Sequence, residues 1–493
     1  MFVGNLDLAC MLWMVLVLFM LPPHTCYAFC PGSCHCLHLG AVKCSGFSIT
    51  DVPEHMPTFM FLLQLNGTKM EVMNEQSLAN LNNLLRFSLT NSHLHTVHPH
   101  AFHVATQLKS LKLSSNDLST IPARVFSPLL NLEQLLLDSN QLETITPDML
   151  EGLPRLLELD LSRNKLSGLV FNVFRGMTNL TFLNLGRNCI KKLPTSIFHP
   201  LTHLQHLLLY NNELETLEPG MFDGLVNLKE LKIHHNHITS LPAQVFWPLR
   251  NLKILSLSSN RLQVIPEKSF YYMPSLSYLT LYKNPMSSLP VQLMGHMPYI
   301  KTFHLFNTNL TTVPGNLFTN MSGLLTLHIQ FNNKLQELPS DLFCCLPNLK
   351  TLSLKSNNLQ YLPPHLFSKQ TTLNILLLSG NKLQTLPDNI FESLTGLSEL
   401  DLRNNNLMTL PGHVFPSNTG LTFVHLSENP WDCSPTGIIR WIRHNWQLVP
   451  DRDNVTCRSP DSESDGMHHI LRVVAMWLPT VEELITGLNS IYF

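Results

Sequence analysis

An asparagine returns every 24 residues through most of this 493-residue chain: Asn116, Asn140, Asn164, Asn188, Asn212, Asn236, Asn260 and Asn284, then Asn357, Asn381, Asn405 and Asn429 after a short disturbance. Counting backwards reaches Ser92 and Thr68, and bridging the gap reaches Thr308 and then Asn332 or Asn333. The period thus has sixteen members, each with a side chain able to hydrogen-bond. So regular a period restricts the chain to a stack of like coils that contact only their neighbours. A length of this order would otherwise suggest about three domains, yet no linker interrupts the period.

Each coil follows LxxLxLxxNxLxxLPxxxFxxLxx, as in Leu108, Leu111, Leu113, Asn116, Leu118, Ile121, Pro122, Phe126 and Leu129. The LKSLKL segment alternates apolar and polar residues, which predicts a short strand with one buried face. The rest of the coil must return to start the next strand, so the strands stack parallel and the apolar positions merge into one core. The sharp turn after the strand leaves backbone N–H and C=O groups inside. The asparagine amide, with two donors and one acceptor, suits the task of satisfying them above and below. Thr and Ser keep part of that capacity. This pattern is identified as the leucine-rich repeat in its 24-residue form. It implies an α/β solenoid, curved, with a parallel sheet on the concave face and a mostly irregular convex side.

A second column runs opposite the strands: Phe102, Phe126, Phe174, Phe198, Phe222, Phe246, Phe270, Phe318, Phe343, Phe367, Phe391 and Phe415, with Leu78, Leu150 and Met294 completing it. Proline after the last repeat leucine, as at Pro122, Pro194, Pro242, Pro290 and Pro387, suits an extended turn and argues against long convex helices.

The N-terminus reads as a secretory signal. MLWMVLVLFML (11–21) is short for a membrane span, and Cys26-Tyr27-Ala28 offers small residues at a cleavage spacing. The expected mature chain begins after Ala28, although Asp7 and the lack of Lys or Arg also leave an uncleaved anchor open. Cleavage leaves nine of the eleven cysteines, and 32 basic against 33 acidic residues, a net charge of −1. Cys30, Cys34, Cys36 and Cys44 form Cx3CxCx7C ahead of the first repeat, where the open end of the stack needs a cap. Four cysteines allow three pairings. A zinc site is the alternative, which a secretory compartment disfavours. An odd count leaves at least one of Cys189, Cys344 and Cys345 free or bridged to another chain.

The near-neutral charge and the lack of a basic stripe speak against nucleic acid as a partner. No Gly-rich phosphate loop, nucleophile elbow or cofactor motif is present. The 24 histidines suggest metal, above all His234-His235-Asn236-His237, but Asn236 belongs to the ladder. His234 and His235 then end the strand, and His237 lies around the turn. The expectation is no catalytic residue, no cofactor and no metal.

Positions on the solvent side of the strands line up as rows across repeats. One row reads Tyr210, His234, Ser258, Tyr282, Phe306 and Gln330; another Phe182, His206, Glu230, Ile254, Tyr278 and Thr302; the row between holds Leu208, Lys232, Ser256, Thr280, His304 and His328. Exposed aromatic groups are costly unless covered, and Tyr and Phe favour protein interfaces. Phe182, His206, Tyr210, His234, Tyr278, Tyr282, His304, Phe306 and His328 are therefore the candidate partner-binding residues. A sheet that merely tolerates strand-forming residues is the competing reading. Five N-x-S/T sequons, at Asn66, Asn179, Asn309, Asn320 and Asn454, are candidate glycan sites in a secreted chain.

Residues 30–457 resemble the capped extracellular leucine-rich-repeat glycoproteins. The irregularities sharpen this: LTLYKNPMSSLP, then LFNTNLTTVP with its rung at Thr308, then HIQFNNKLQELP with one extra residue, together with SLTNSHLHTV, LLQLNGTKMEV and KIHHNHITSL. Together they resemble the ectodomain of the platelet glycoprotein V family, subunits associated with the Ib–IX–V adhesion receptor. The resemblance implies cell adhesion and haemostasis, with protein partners that include other leucine-rich-repeat receptor subunits. More distant similarity to the carboxypeptidase N regulatory subunit and leucine-rich alpha-2-glycoprotein implies instead a soluble plasma protein that binds or stabilises an enzyme. Family N-caps pair first with third and second with fourth cysteines, implying Cys30–Cys36 and Cys34–Cys44. Family C-caps carry two bridges. Here the cap opening at Asn429-Pro430-Trp431-Asp432-Cys433 retains the partners for one, Cys433–Cys457, around an amphipathic helix with Ile438, Ile439, Trp441 and Ile442. The segment LRVVAMWLPTVEELITGLNSIYF departs from the family: Arg472, Glu482 and Glu483 interrupt it, so no membrane-spanning run is expected. The expected organisation is a signal peptide (1–28), an N-cap (29–58), about 15–16 repeats (59–428), a C-cap (429–458) and a diverged tail (459–493).

Overall fold

The computed structural model describes residues 30–458, apart from 38–39, 58, 412–413, 416–419 and 435–437, together with 468–469. The expected signal peptide and most of the diverged tail lie outside the described residues. The chain forms two units, Met1–Asp160 and Leu161–Phe493, and each is a parallel β-solenoid.

In the first unit a cysteine-rich hairpin, β1 (Cys34–Leu37) against β2 (Ala41–Gly46), begins the sheet. Parallel strands follow: β3 (Leu62–Thr68), β5 (Arg86–Thr90), β7 (Ser110–Lys112), β8 (Gln134–Leu136) and β9 (Glu158–Asp160). On the return side β4 (Val72–Met73) pairs with β6 (Thr96–Val97). Disulfides join Cys30 to Cys36 and Cys34 to Cys44, the pairs that the resemblance implies.

In the second unit one three-residue strand per coil stacks parallel on the next. These are β10 (Phe182–Asn184), β11 (His206–Leu208), β12 (Glu230–Lys232), β13 (Ile254–Ser256), β14 (Tyr278–Thr280), β15 (Thr302–His304), β16 (Thr326–His328), β17 (Thr351–Ser353), β18 (Ile375–Leu377), β19 (Glu399–Asp401) and β20 (Phe423–His425). The central residue of each faces inward, and Leu183, Leu207, Leu231, Leu255, Leu279, Phe303 and Leu327 are all fully buried and in register. Between β16 and β17 the register advances by 25 residues instead of 24, which locates the extra residue of this region.

The ladder works as its chemistry requires. Asn236 Nδ2 donates to the Leu209 carbonyl one coil back (3.0 Å) and to the Ile233 carbonyl in its own coil (3.1 Å), while its Oδ1 accepts from Leu214 N–H (3.1 Å). Within the first unit Asn140 makes the same set, to Leu113, Leu137 and Leu118. Thr308 reaches only sideways: its hydroxyl donates to Asn332 Oδ1 at 2.7 Å and accepts from Leu310 N–H at 3.3 Å. Asn332, fully buried, is the next rung rather than Asn333. The residue before every rung has a left-handed backbone, from Gly67 and Asn91 through Ser115, Arg187, His235, Lys283 and Phe331 to Glu428, with φ between 50° and 71°. This conformation is unfavourable for most of these residue types. The rung's hydrogen bonds to the turning backbone hold it in place.

The phenylalanines stack along the opposite side: Phe174, Phe198, Phe222, Phe246 and Phe270 at 6.0–6.5 Å, and Phe318, Phe343, Phe367, Phe391 and Phe415 at 5.9–6.4 Å. Where Met294 interrupts the column, Phe303 enters the core from β15 and meets Phe318 edge-on at 6.0 Å. Among the described residues the only α-helix is α1 (Ile438–Asn445). It buries Ile438, Ile439 and Ile442, and sets Trp441 against Phe415 at 4.9 Å. Beside it lie β21 (Trp431–Asp432), β22 (Thr456–Arg458) and β23 (His468–His469), with Cys433 bonded to Cys457. The Asp451 carboxylate accepts from Leu426 N–H (3.0 Å) and Ser427 N–H (2.8 Å), so this cap satisfies backbone donors left by the last coil. No helix among the described residues is long and apolar enough to cross a membrane.

Candidate functional site

Because a strand shows alternate residues to opposite sides, the first and third residues of each short strand, and the residue two further on, face solvent. The observed pairings place Phe182, His206, Glu230, Ile254, Tyr278 and Thr302 in one row and Leu208, Lys232, Ser256, Thr280, His304 and His328 in the next, as read from the sequence. The nine candidate residues all lie on this face of the second unit. They are half-buried rather than exposed. Neighbouring strands are close enough for large side chains to cover one another.

They form three groups. At one end Phe182 packs on His206 at 6.1 Å, and His206 Nδ1 lies 2.9 Å from Glu230 Oε2. Lys232 Nζ approaches the other oxygen of Glu230 at 2.6 Å. Burial alone would raise the Glu230 carboxyl; the hydrogen bonds from Lys232 and His206 outweigh it and hold Glu230 below its ordinary value. Next, Tyr210 stacks flat on His234 at 5.2 Å. Gly186 makes this possible, since a Cβ there would stand 2.7 Å from the Tyr210 ring. Finally Tyr278, Tyr282, His304, Phe306 and His328 form one cluster. Tyr282 and Phe306 stack at 4.4 Å, and His304 lies 5.7 Å from Tyr278, 5.9 Å from Phe306 and 4.7 Å from His328.

Between the second and third groups the side chains shrink. Ser256, Ser258 and Thr280 are buried on the floor of a hollow of about 400 Å³, walled by Glu230, Lys232, His234, Ile254, Tyr278 and Tyr282. The Ser258 and Thr280 hydroxyls bond each other at 3.0 Å. Aromatic walls, a hydroxyl floor and one ion pair at the rim give this hollow room and polarity suited to a projecting side chain or polar group.

Three histidines of this face, His234, His304 and His328, are pushed toward the neutral form. Burial pushes His234 down to about 4, with His235 and Lys232 adding charge repulsion, and burial with the nearby His328 does the same to His304, also to about 4. His328 is lowered by burial alone. The buried Nδ1 atoms of His234 and His304 have no hydrogen-bond partner, which agrees with neutral rings. Among the described residues, no group of three or more His, Cys, Asp or Glu is placed to hold a metal ion.

Two features escaped the sequence reading. The floor of small residues stands in the predicted rows, but a hollow there depends on the size of the residues around it. Further along the sheet, Asp401 is buried with Arg403 gripping both its oxygens (2.9 and 3.0 Å) and Lys355 at 3.5 Å. Lys355 comes from two coils earlier, a spacing that no local motif reveals. All five sequon asparagines are exposed. Cys189 and Cys344 are exposed and Cys345 is half-buried; all three are free thiols.

Comparison with known proteins defines the class. The leucine-rich-repeat family matches residues 60–118, 82–142, 131–190, 183–238 and 226–286, and the BspA-type leucine-rich-repeat region, in six copies, matches residues 296–422. The chain belongs to the leucine-rich-repeat proteins. No curated protein sequence matches it significantly. Among solved structures it is similar to a chain of the Drosophila Toll–Spätzle complex (23% identity, TM-score 0.69), covering 83% of this chain and 60% of that one. A leucine-rich-repeat protein of Leptospira interrogans is 27% identical over 83% of this chain and 93% of its own, with a TM-score of 0.62. The functional domain of InlJ from Listeria monocytogenes is 22% identical, covering 73% of this chain and 71% of that one, with a TM-score of 0.55. The present chain thus spans about 60% of the length of that chain of the Toll–Spätzle complex.

Proposed function

We propose that this chain is a non-enzymatic extracellular binding glycoprotein that holds a protein partner on the sheet face of its second unit, in the manner of the platelet glycoprotein V subunit. The observation that carries this reading is the aromatic and histidine cluster around the 400 Å³ hollow. Stacked rings are rigid, offer large amphipathic contact area, and cost little entropy to immobilise, which is why they dominate interface energetics. The rim of Lys232 and Glu230 supplies orientation and the hollow supplies a socket. Three disulfides, the exposed sequons and the apolar segment 11–21 favour passage through an oxidising secretory route.

A second reading is a soluble plasma glycoprotein that carries an enzyme, as the carboxypeptidase N regulatory subunit does, a protein that the capped repeats resemble more distantly. Cross-linking of the chain on intact blood cells, followed by mass spectrometry, separates the two. Membrane adhesion-receptor subunits among the captured proteins support the first reading. A plasma enzyme recovered without any cell-surface protein contradicts it and supports the second.

A further inference from the structure

The second unit carries another aromatic surface, on the side of the coils that holds the phenylalanine column, and the proposed partner face does not use it. Tyr271 and Tyr272 are each 40% exposed there, and Val291 is 62% exposed. Their rings are fixed. Trp247 Nε1 donates to the Lys268 carbonyl at 3.0 Å, and its indole meets Tyr272 edge-on at 4.6 Å. Tyr272 in turn meets Tyr271 at 5.3 Å, and the Arg250 guanidinium lies 6.0 Å from the Tyr272 ring.

Two glycines in the neighbouring coils let the backbones approach closely. At Gly295 a Cβ would stand 1.8 Å from the Tyr271 carbonyl oxygen, and at Gly323 it would stand 2.2 Å from that of Pro298. The coils are pressed together at these two glycines. Two hollows lie at the tyrosines, of about 420 and 220 Å³. Tyr271 lines both, and so does Asn320. Asn320 begins the sequon Asn320-Met321-Ser322, its residue is exposed, and its carbonyl accepts from Met297 N–H at 3.0 Å, which anchors the sequon beside the platform.

We propose that this aromatic platform is the seat of an N-linked glycan carried on Asn320, whose first sugar rings lie across Tyr271 and Tyr272. One face of a pyranose ring presents polarised C–H bonds, and these fit the electron-rich face of an aromatic ring. The hydroxyls at the sugar edge meet water and the polar groups of Asn316, Thr319 and Gln292, which also line the smaller hollow. The glycan would shield an apolar patch that otherwise invites association, and it leaves the sheet face open. The inference rests on the secretory reading given above.

The test uses the full chain secreted from mammalian cells. Site-by-site glycopeptide mass spectrometry follows glycan release by an N-glycosidase under native conditions. Asn320 is expected to be occupied, and to lose its glycan several-fold more slowly than Asn66 and Asn454. Tyr271→Ala with Tyr272→Ala should bring its release to their rate. Should that double variant fail to fold, Asn320→Gln provides a second reading: it should bind more of a polarity-sensitive dye than Asn309→Gln does. If no sequon is occupied, the secretory reading itself fails. If the others are occupied while Asn320 is bare, or its glycan is released as fast as theirs, the platform assignment alone is overturned and the patch is left to a protein partner.

Discussion

The two units turn the same coil toward solvent with different surfaces. In the first, the sheet face is a polar chain: Ser110 Oγ donates to Gln134 Oε1 at 2.6 Å, and Gln134 Nε2 donates to Glu158 Oε2 at 2.6 Å. Each group satisfies its neighbour, and nothing in that row asks for a partner. In the second, the same strand positions hold Phe182, His206 and Tyr278, backed by Tyr210, His234, Tyr282, His304, Phe306 and His328. Here rings stack on rings and two imidazole nitrogens go unpaired. The buried columns are alike in both units, so they account for stability. The difference on the face is where recognition must be sought.

The comparison can be broken by showing that scaffold and face are not separable. The largest effect should come from the phenylalanine column. Phe222, fully buried between Phe198 (6.4 Å) and Phe246 (6.2 Å), should cost about 3–5 kcal/mol when changed to alanine, read by urea denaturation. Loss of the Cys433–Cys457 bridge, which closes a separation of 24 residues, should cost roughly 3 kcal/mol and lower the thermal midpoint. Asn236→Ala strands the Leu214 N–H and leaves the Leu209 and Ile233 carbonyls with one amide donor each, from Asn212 and Asn260, and should cost about 1–3 kcal/mol; Thr308→Ala, at a rung that serves one backbone N–H and no carbonyl, should cost less. Equal losses at both rungs would show that the ladder is not held as described.

Acid should act through the face of the second unit. His234 and His304 titrate near 4 in the folded chain against an ordinary value of 6.5. The unfolded chain therefore takes up protons first as pH falls. Stability should be level above about pH 6.5 and decline between 6.5 and 4. His234→Asn with His304→Asn should flatten that decline in thermal melts taken across the range. The smallest stability effect belongs to Tyr282→Ala, which removes one stack on Phe306, worth about 0.5–1.5 kcal/mol.

Much of this was legible in the sequence because the ladder and the phenylalanine column tolerate few side-chain types. The fixed period also gave the row order, since a parallel stack in constant register leaves no freedom. The left-handed residue before each rung was not legible. Ser115, Arg187, His235, Lys283 and Phe331 share no propensity for it, and the conformation belongs to the turn that every coil makes ahead of its rung, whether that rung is Asn, Ser or Thr. The choice between Asn332 and Asn333 likewise waited on which side chain turned inward. At the candidate site the aromatic rows could be read, but not their depth. That depth comes from Ser256 and Ser258 lying between larger neighbours, and the flat seating of Tyr210 depends on Gly186 one coil away.

The most direct test of separability pairs binding with stability in one variant, Tyr210→Ala with Tyr282→Ala. A cell-surface binding assay and a denaturation curve are taken on the same preparation. The account predicts a cooperative unfolding midpoint close to that of the parent chain and a clear loss of binding. Unchanged affinity in the folded variant would contradict the claim that this face holds the partner.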